Sequence, residues 1–360
     1  MIDQVAAAFE QKDYKTASKL IKQLLQESPS DPWVKLYVGK LQEVSGKNQD
    51  AEKIYRRLLR DETNSKIVAQ ARQGLQRLRE FEEEERKRSI SQAMANDNAN
   101  EPGVLILEPI NNELKTQAAP KFARIMQLDP YSARLLLPSR GWRLYRTGAI
   151  GELKFYGEQL QQVEIPCFWT TLAAIQKIQI FQVNYFQSSS SQVTVVCHNQ
   201  NNQLGSITFA WHEIKARVFG LLPIFEEVVD RNARGKLERK TQTQDYAHFC
   251  DLHIPNRGCI LRLFDGGYEF QKGIEITPSN TQNTVCINWN NLSKWLDQQI
   301  PQVKVWSDFT PFAETAIDQK EMLSHIQPHI LLFRREASYW DSAFQLYSGL
   351  VYLKVKSYEL

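Results

Sequence analysis

Between Lys121 and Lys154 the chain carries seven basic residues against two acidic ones, and its densest stretch, Ser139-Arg-Gly-Trp-Arg-Leu-Tyr-Arg-Thr-Gly148, interleaves three arginines with a tryptophan and a tyrosine. Guanidinium groups form bidentate hydrogen bonds to phosphate or to the guanine O6/N7 edge and also stack on aromatic faces, so a planar, anionic ligand such as a nucleotide uses every property of this segment. On a strand, Arg140, Trp142, Leu144 and Arg146 share one face, with Arg143 and Tyr145 on the other. Trp142 and Leu144 suit burial, so Arg140 and Arg146 would flank an apolar floor while Arg143 and Tyr145 line the opposite groove. Arg134, upstream in Tyr131-Ser-Ala-Arg-Leu-Leu-Leu-Pro138, curls over either side. So many guanidinium groups repel one another until a ligand or acids neutralise them. The same residues also suit a solvated basic strand with its aromatics in the core.

Other chemistry is sparse. Neither G-x-x-x-x-G-K-[ST] nor G-x-G-x-x-G occurs, and G-x-S-x-G and H-E-x-x-H are missing too, so no catalytic residue is assigned and the chain is expected not to be an enzyme. His248-Phe-Cys250-Asp-Leu-His253, with Cys259 as a conceivable fourth ligand, is the one compact metal-like constellation. Its spacing fits no common zinc finger, and a metal-free structural role is expected. The five cysteines are odd in number and scattered without a C-x-x-C, as buried reduced thiols would be.

The elements that position these residues fall into regions. Residues 1–90 hold 18 basic and 15 acidic side chains, leaving 26 of each for residues 91–360, so the net charge of +3 lies in the first part. Bulk electrostatics therefore predicts no direct nucleic-acid or membrane binding. The start has no basic and apolar leader, and no run of roughly 18 apolar residues occurs, so a cytoplasmic protein is expected. At an offset of 34 residues Ala17 matches Ala51, Leu20 Ile54, Ile21 Tyr55, Leu24 Leu58 and Leu25 Leu59. This period resembles the tetratricopeptide repeat, with Trp33, Leu36, Ala51 and Tyr55 approximating its signature. The pattern is degenerate, since Val5 falls on Gly39 and Phe9 on Glu43. A further helix from about Ser65 to Ile90 ends in acids followed by bases, suited to i,i+3 and i,i+4 pairing.

Residues 91–120 read as a linker with a short apolar run, Val104 to Leu107. Beyond them strand-like runs appear: Trp142–Thr147, Glu152–Tyr156, Ile175–Phe186, Val193–His198, Leu204–Trp211, Cys259–Phe264, Asn283–Asn288, Lys304–Trp306, Ile330–Arg334 and Leu350–Val355. One helix is expected over His212 to Val229, kinked or restarted at Pro223. The fold class is α+β and multidomain: helical hairpins, then two mainly antiparallel β-rich subdomains with a few helices, over residues 121–240 and 241–360. The recurrence of Arg140-Gly141 as Arg257-Gly258, each before an alternating strand, suggests a duplication.

PilZ domains also hold cyclic di-GMP with an arginine-bearing segment that leads into a β domain. Here, however, Arg140, Arg143 and Arg146 are spaced by three rather than four, and no [DN]-x-S-x-x-G follows. The overall plan is repeats, a linker, then Leu-Leu-Leu-Pro-Ser-Arg-Gly-Trp-Arg-Leu-Tyr-Arg-Thr-Gly opening a tryptophan-rich β region. It is similar to the cyanobacterial cyclic-di-GMP receptor family linked to cell-size control. That resemblance implies a non-catalytic second-messenger receptor with no other cofactor, which switches a contact with a protein partner, a transcription regulator. Arg140, Arg143 and Arg146 would then neutralise the two phosphates and address guanine edges, Trp142 or Tyr145 would stack on a base, and Arg134 would cover the ligand. The competing reading is a tetratricopeptide-like adaptor or assembly factor that uses the concave face of residues 1–90 and no small ligand.

Overall fold

The computed structural model describes residues 1–190, 192–231, 235–276, 284–330, 332 and 338–357. The chain divides into two compact units, residues 1–92 and 93–360. The first is helical: α1 (Ile2–Glu10), α2 (Tyr14–Glu27), α3 (Pro32–Val44), α4 (Asn48–Asp61) and α5 (Ser65–Met94). Asp13 and Asp31 cap α2 and α3 by accepting hydrogen bonds from the backbone N–H groups of Thr16 and Trp33, and Pro32 takes the first turn of α3, where no N–H is needed. The residues of the 34-residue repeat form the core, with Ala17, Ile21 and Leu24 buried on α2 and Ala51, Tyr55 and Leu58 on α4. Tyr55 shows why glycine is required beside it. A Cβ on Gly39 of α3 would lie 2.7 Å from its ring and one on Gly74 of α5 2.5 Å, so both neighbours must lack a side chain.

The second unit runs β1 (Pro102–Leu107), α6 (Asn112–Met126), α7 (Pro130–Leu136), β2 (Arg143–Ala149), α8 (Ile150–Gln162), β3 (Cys167–Thr171), α9 (Leu172–Gln176), β4 (Gln179–Ser188), β5 (Val193–His198), β6 (Leu204–Phe209), β7 (Ala216–Arg231), β8 (Leu237–Ile254), β9 (Cys259–Phe264), α10 (Val285–Gln299), β10 (Lys304–Trp306), α11 (Phe309–Ala316), α12 (Lys320–Ser324) and α13 (Tyr339–Ser357). An antiparallel three-stranded sheet has the order β2-β1-β3, and a seven-stranded sheet the order β10-β7-β8-β9-β4-β5-β6. Its pairs are antiparallel except β10 with β7 and β4 with β9. Every residue of α13 from Asp341 to Tyr352 is buried. Its Phe344, Tyr347 and Val351 join one apolar core with Val104, Trp142 and Leu144 of the small sheet and Val218, Leu222 and Phe249 of the large one. A helix buried on every side is a core element rather than an amphipathic surface helix.

The fold class is the expected one, whereas several boundaries differ. The stretch 91–120, expected as a linker, contains β1, the central strand of the small sheet, with Val104 to Leu107 fully buried, as well as the start of α6. The expected division at residue 240 falls inside β8, which pairs with β7 on one side and β9 on the other, so residues 121–240 and 241–360 share one sheet. Both Arg-Gly steps place glycine at positive φ before a strand (Gly141 +61°, Gly258 +71°). Yet β2 edges the small sheet and β9 lies inside the large one, which makes the recurrence a shared turn and not a duplicated subdomain.

Residues 212–229, expected as a helix, form mostly β7; its β-branched and aromatic residues favour a strand, and Pro223 disfavours a helix interior. Glu152–Tyr156 and Leu350–Val355 are helical instead. Leu153, Tyr156 and Leu160 recur at helical spacing, and Gly157 is there for packing, since a Cβ would fall 2.1 Å from the Trp169 ring. The run Asn283–Asn288 opens α10 from Val285 onward. Asn283, Ser191, residues 232–234, and Leu331 and Phe333–Arg334 of the run Ile330–Arg334 lie outside the described residues.

Beneath α13 the large sheet carries a buried polar network. Arg262 on β9 donates from Nε and Nη2 to the two oxygens of Asp251 on β8 at 2.8 and 2.7 Å, and from Nη1 to the Pro328 carbonyl at 2.7 Å. Ser348 Oγ donates to Asp251 Oδ2 at 2.6 Å, which uses its single proton, so His253 Nε2, 3.0 Å away, must be the donor to Ser348. His253 meets this demand as a neutral imidazole with its proton on Nε2, and its Nδ1 has no partner among the described residues. Burial pushes its pKa down to about 4, Asp251 opposing and Arg262 assisting. Since the unfolded chain, with His near 6.5, takes up this proton first, stability should be full above about pH 6.5 and fall by roughly 3 kcal/mol as pH drops from about 6.5 to 4. Urea unfolding across that range should show this slope, and His253→Gln, which keeps the donor without the titration, should flatten it.

Candidate functional site

The candidate site is built around the lead-in to β2. Asn111 caps α6 by accepting from the Glu113 N–H at 3.3 Å, and Asp129 caps α7 by accepting from the Ser132 N–H at 2.9 Å with Pro130 behind it. The turn after α7 is tied back where the Ile110 N–H donates to the Pro138 carbonyl at 2.9 Å. Ser139 then accepts from Lys115 Nζ at 2.7 Å and donates to Asn112 Oδ1 at 2.8 Å, which fixes the Lys115 ammonium at the beginning of α6. Burial pushes the pKa of Lys115 down, and the charges of Arg134 and Arg143 push it further the same way. Among the described residues the charges that act on it are those two guanidinium groups. Lys115, Arg134 and Arg143 thus form a cluster of cations that raises its own electrostatic energy until an anion arrives.

The other expected site residues separate. Arg140 is exposed beside Ser139. Trp142 is 5% exposed and belongs to the core, its ring 4.9 Å from both Phe168 and Trp306 and 5.8 Å from Tyr347. Tyr145 is half-buried against Phe122 at 5.1 Å, and burial raises its pKa. A β-bulge explains where Arg146 goes. Pairing of β2 with β1 slips between Leu105↔Arg146 and Ile106↔Leu144, leaving Tyr145 as the extra residue. Strict alternation would place Arg146 beside Trp142 and Leu144. The bulge turns it instead toward α8, where Nη2 donates to Glu152 Oε1 at 2.7 Å and the guanidinium lies 4.8 Å over the Tyr156 ring. Arg146 is therefore committed to holding β2 against α8.

Lys115 and Asn112 were not singled out from the sequence, because residues up to 120 read as a linker, and Ser139 was passed over beside the arginines. The capping residue Asn111 before Leu114, Ala118 and Phe122 at helical spacing was the available signal. The constellation around His248, Cys250, His253 and Cys259 lies on β8 and β9 with Cys250 and His253 buried, and among the described residues no group of three or more His, Cys, Asp or Glu is placed to hold a metal. Among the described residues no helix is long and apolar enough to cross a membrane.

The helical unit offers a second surface. Arg77 of α5 donates from Nε and Nη2 to both oxygens of Glu43 on α3 at 2.7 and 2.9 Å, and the Tyr55 hydroxyl donates to Glu43 at 2.7 Å. Lys40 donates to Gln70 at 2.8 Å between the same two helices. Residues 8–80 match the tetratricopeptide repeat family. No curated protein and no solved structure matches the chain. Repeats of this kind present a surface for a protein partner, which fits an interaction or adaptor role.

Replacing Arg146 by Gln should lower folding stability by about 1 kcal/mol, because it removes a half-exposed ion pair and a cation–π contact. Urea unfolding measures that loss, and binding of any anion at Lys115 should be unaffected.

Proposed function

We propose that the protein is a non-catalytic adaptor whose helical repeats hold a protein partner and whose second unit takes a phosphate-bearing nucleotide at Lys115, Arg134 and Arg143, with Arg140 at the rim. The observation that carries this reading is the gathering of three cations, in which Lys115 is held by Ser139, partly desolvated and acted on by the charges of Arg134 and Arg143. Arginine forks and a fixed ammonium suit phosphate oxygens and guanine edges. Cyclic di-GMP is the nucleotide that the resemblance of the Ser139–Gly148 segment indicates, and a transcription regulator is the kind of partner it indicates. Compared with the assignment drawn from spacing alone, Lys115 replaces Arg146 as a phosphate contact, and Trp142 is withdrawn as a stacking platform. Tyr145 remains beside the cluster as an edge contact.

A second reading, an adaptor without a small ligand, is favoured by the match of residues 8–80 to the repeat family. Thermal unfolding with cyclic di-GMP, GTP and inorganic phosphate separates the two. A nucleotide at 100 times its dissociation constant should add about 2.7 kcal/mol of apparent stability. Arg143→Lys keeps charge but loses the fork, and Lys115→Gln loses the fixed ammonium; each should weaken binding by about 1–3 kcal/mol. Arg146→Lys and Arg239→Gln, which lie outside the cluster, should leave affinity unchanged. Equal weakening by both sets would indicate diffuse electrostatics, and no binding by the parent protein leaves the ligand-free adaptor.

A further inference from the structure

The ribbon of β7 and β8 outruns its sheet. The two strands pair from Ala216↔His253 to Arg231↔Leu237. Among the described residues, β10 covers β7 only at Ala216–Val218, and β9 covers β8 only at Phe249–Ile254. Beyond these the ribbon is two-stranded, and every residue from Leu237 to Tyr246 is exposed, with Leu237 at 72%, Tyr246 at 49% and, across the ribbon, Val229 at 64%. A two-stranded ribbon is marginal in water, and its open edges are templates for further pairing.

The two edges are not equivalent. On β7, Pro223 lacks an N–H to offer, and Glu226 and Glu227 follow as adjacent acids, the usual devices against strand addition. On β8, Glu238-Arg-Lys240 gives way to Thr241-Gln-Thr-Gln244, four uncharged residues of which the threonines favour strands. The described arm is close to electrically neutral, with Glu226, Glu227, Asp230, Glu238 and Asp245 against Arg231, Lys236, Arg239 and Lys240, so a polyanion gains nothing there. A strand of the same mixed charge fits.

We propose that the arm is a dimerisation element in which β8 adds antiparallel to β8 of a second copy, with Thr241 facing Thr241 across a twofold axis. Twofold symmetry puts a residue opposite its own counterpart at the axis. Axes at Glu238, Arg239 or Lys240 set like charges face to face. An axis at Gln242 or Thr243 runs at once into the bulge at Gln244, where pairing with β7 slips between Ile224 and Phe225. The axis at Thr241 avoids the first and defers the second, reaching Gln244 only at the third pair, opposite Glu238. It pairs Lys240 with Gln242 and Arg239 with Thr243, and it places two threonines together, a favourable cross-strand pair. The product is a four-stranded ribbon with two well-defended β7 strands outside.

The test uses the full chain with Cys286→Ser, which removes the exposed thiol. Under mild oxidation Thr241→Cys should form a covalent dimer, since directly opposed strand residues lie within disulfide reach. Gln242→Cys and Arg239→Cys, whose counterparts are offset, should crosslink many-fold more slowly, whereas a mixture of Lys240→Cys and Gln242→Cys chains should crosslink to each other. By sedimentation the parent chain should be dimeric at micromolar concentration, and Thr241→Lys, which sets two ammonium groups at the axis, should shift it to monomer with unchanged thermal unfolding in the dilute monomeric range. A monomeric parent chain, equal crosslinking at all ribbon positions, or a dimer that survives Thr241→Lys would each overturn the proposal.

Discussion

The ion pair of Asp251 and Arg262 sits where the large sheet meets α13, and much of the second unit depends on it. Both side chains are at or below 1% exposure, and desolvating them is tolerable only because every oxygen of the carboxylate and three guanidinium nitrogens are engaged. Removing one partner from such a pair costs about 3–5 kcal/mol, while the intact pair adds little net stability. Its value is positional. Ser348 can reach Asp251 in only one rotation and one height of α13, and that placement carries Tyr347 against Trp142 and Phe344 against β7. Gly220 makes the second contact possible, because a Cβ there would lie 2.3 Å from the Phe344 ring. Through Trp142 the core fixes the strand that bears the arginines, so the polar network beneath α13 and the cation cluster are mechanically one assembly.

The contrast with Arg217 is instructive. It is 3% exposed and donates from Nη2 to Asp297 at 2.6 Å, but Nε and Nη1 have no hydrogen-bond partner among the described residues, and Asp297 is largely exposed. A cation half-satisfied in this way is a liability in a core, whereas Arg262 is a specifying contact. The difference follows from position: Arg262 faces a neighbouring strand with a carboxylate at matching register, and Arg217 must reach an exposed turn of α10.

How much of this was legible in the sequence depended on the range of the interactions. The repeat of residues 1–90 was readable because each apolar match is local and periodic, and Ala51, Tyr55 and Leu58 are buried where their spacing placed them. Strand β5 was readable from alternation alone, and its burial alternates accordingly. Alternation misled where burial was two-sided. The run from Leu350 to Val355 is apolar because α13 is surrounded, and a surrounded helix has no polar face to reveal its period. The linker reading failed for the same reason, since the six residues of β1 are short, apolar and flanked by Asn and Pro, and only their partners in β2 and β3, far along the chain, make them a central strand.

At the arginine segment the sequence located the basic residues and misplaced the geometry. Residue types located a cation-rich strand, but face assignment rested on an unbroken period of two, and one extra residue at Tyr145 reverses that period for everything after it. The consequence is chemical as well as geometric. Without the bulge, Arg146 would lie on the Trp142 face; with it, Glu152 neutralises Arg146, and Lys115 from a helix twenty-eight positions before Arg143 supplies the third cation. A segment with three arginines thus yields one structural clamp, one exposed residue ahead of the strand and one member of a cation cluster, and the division is made by backbone register rather than by side-chain identity.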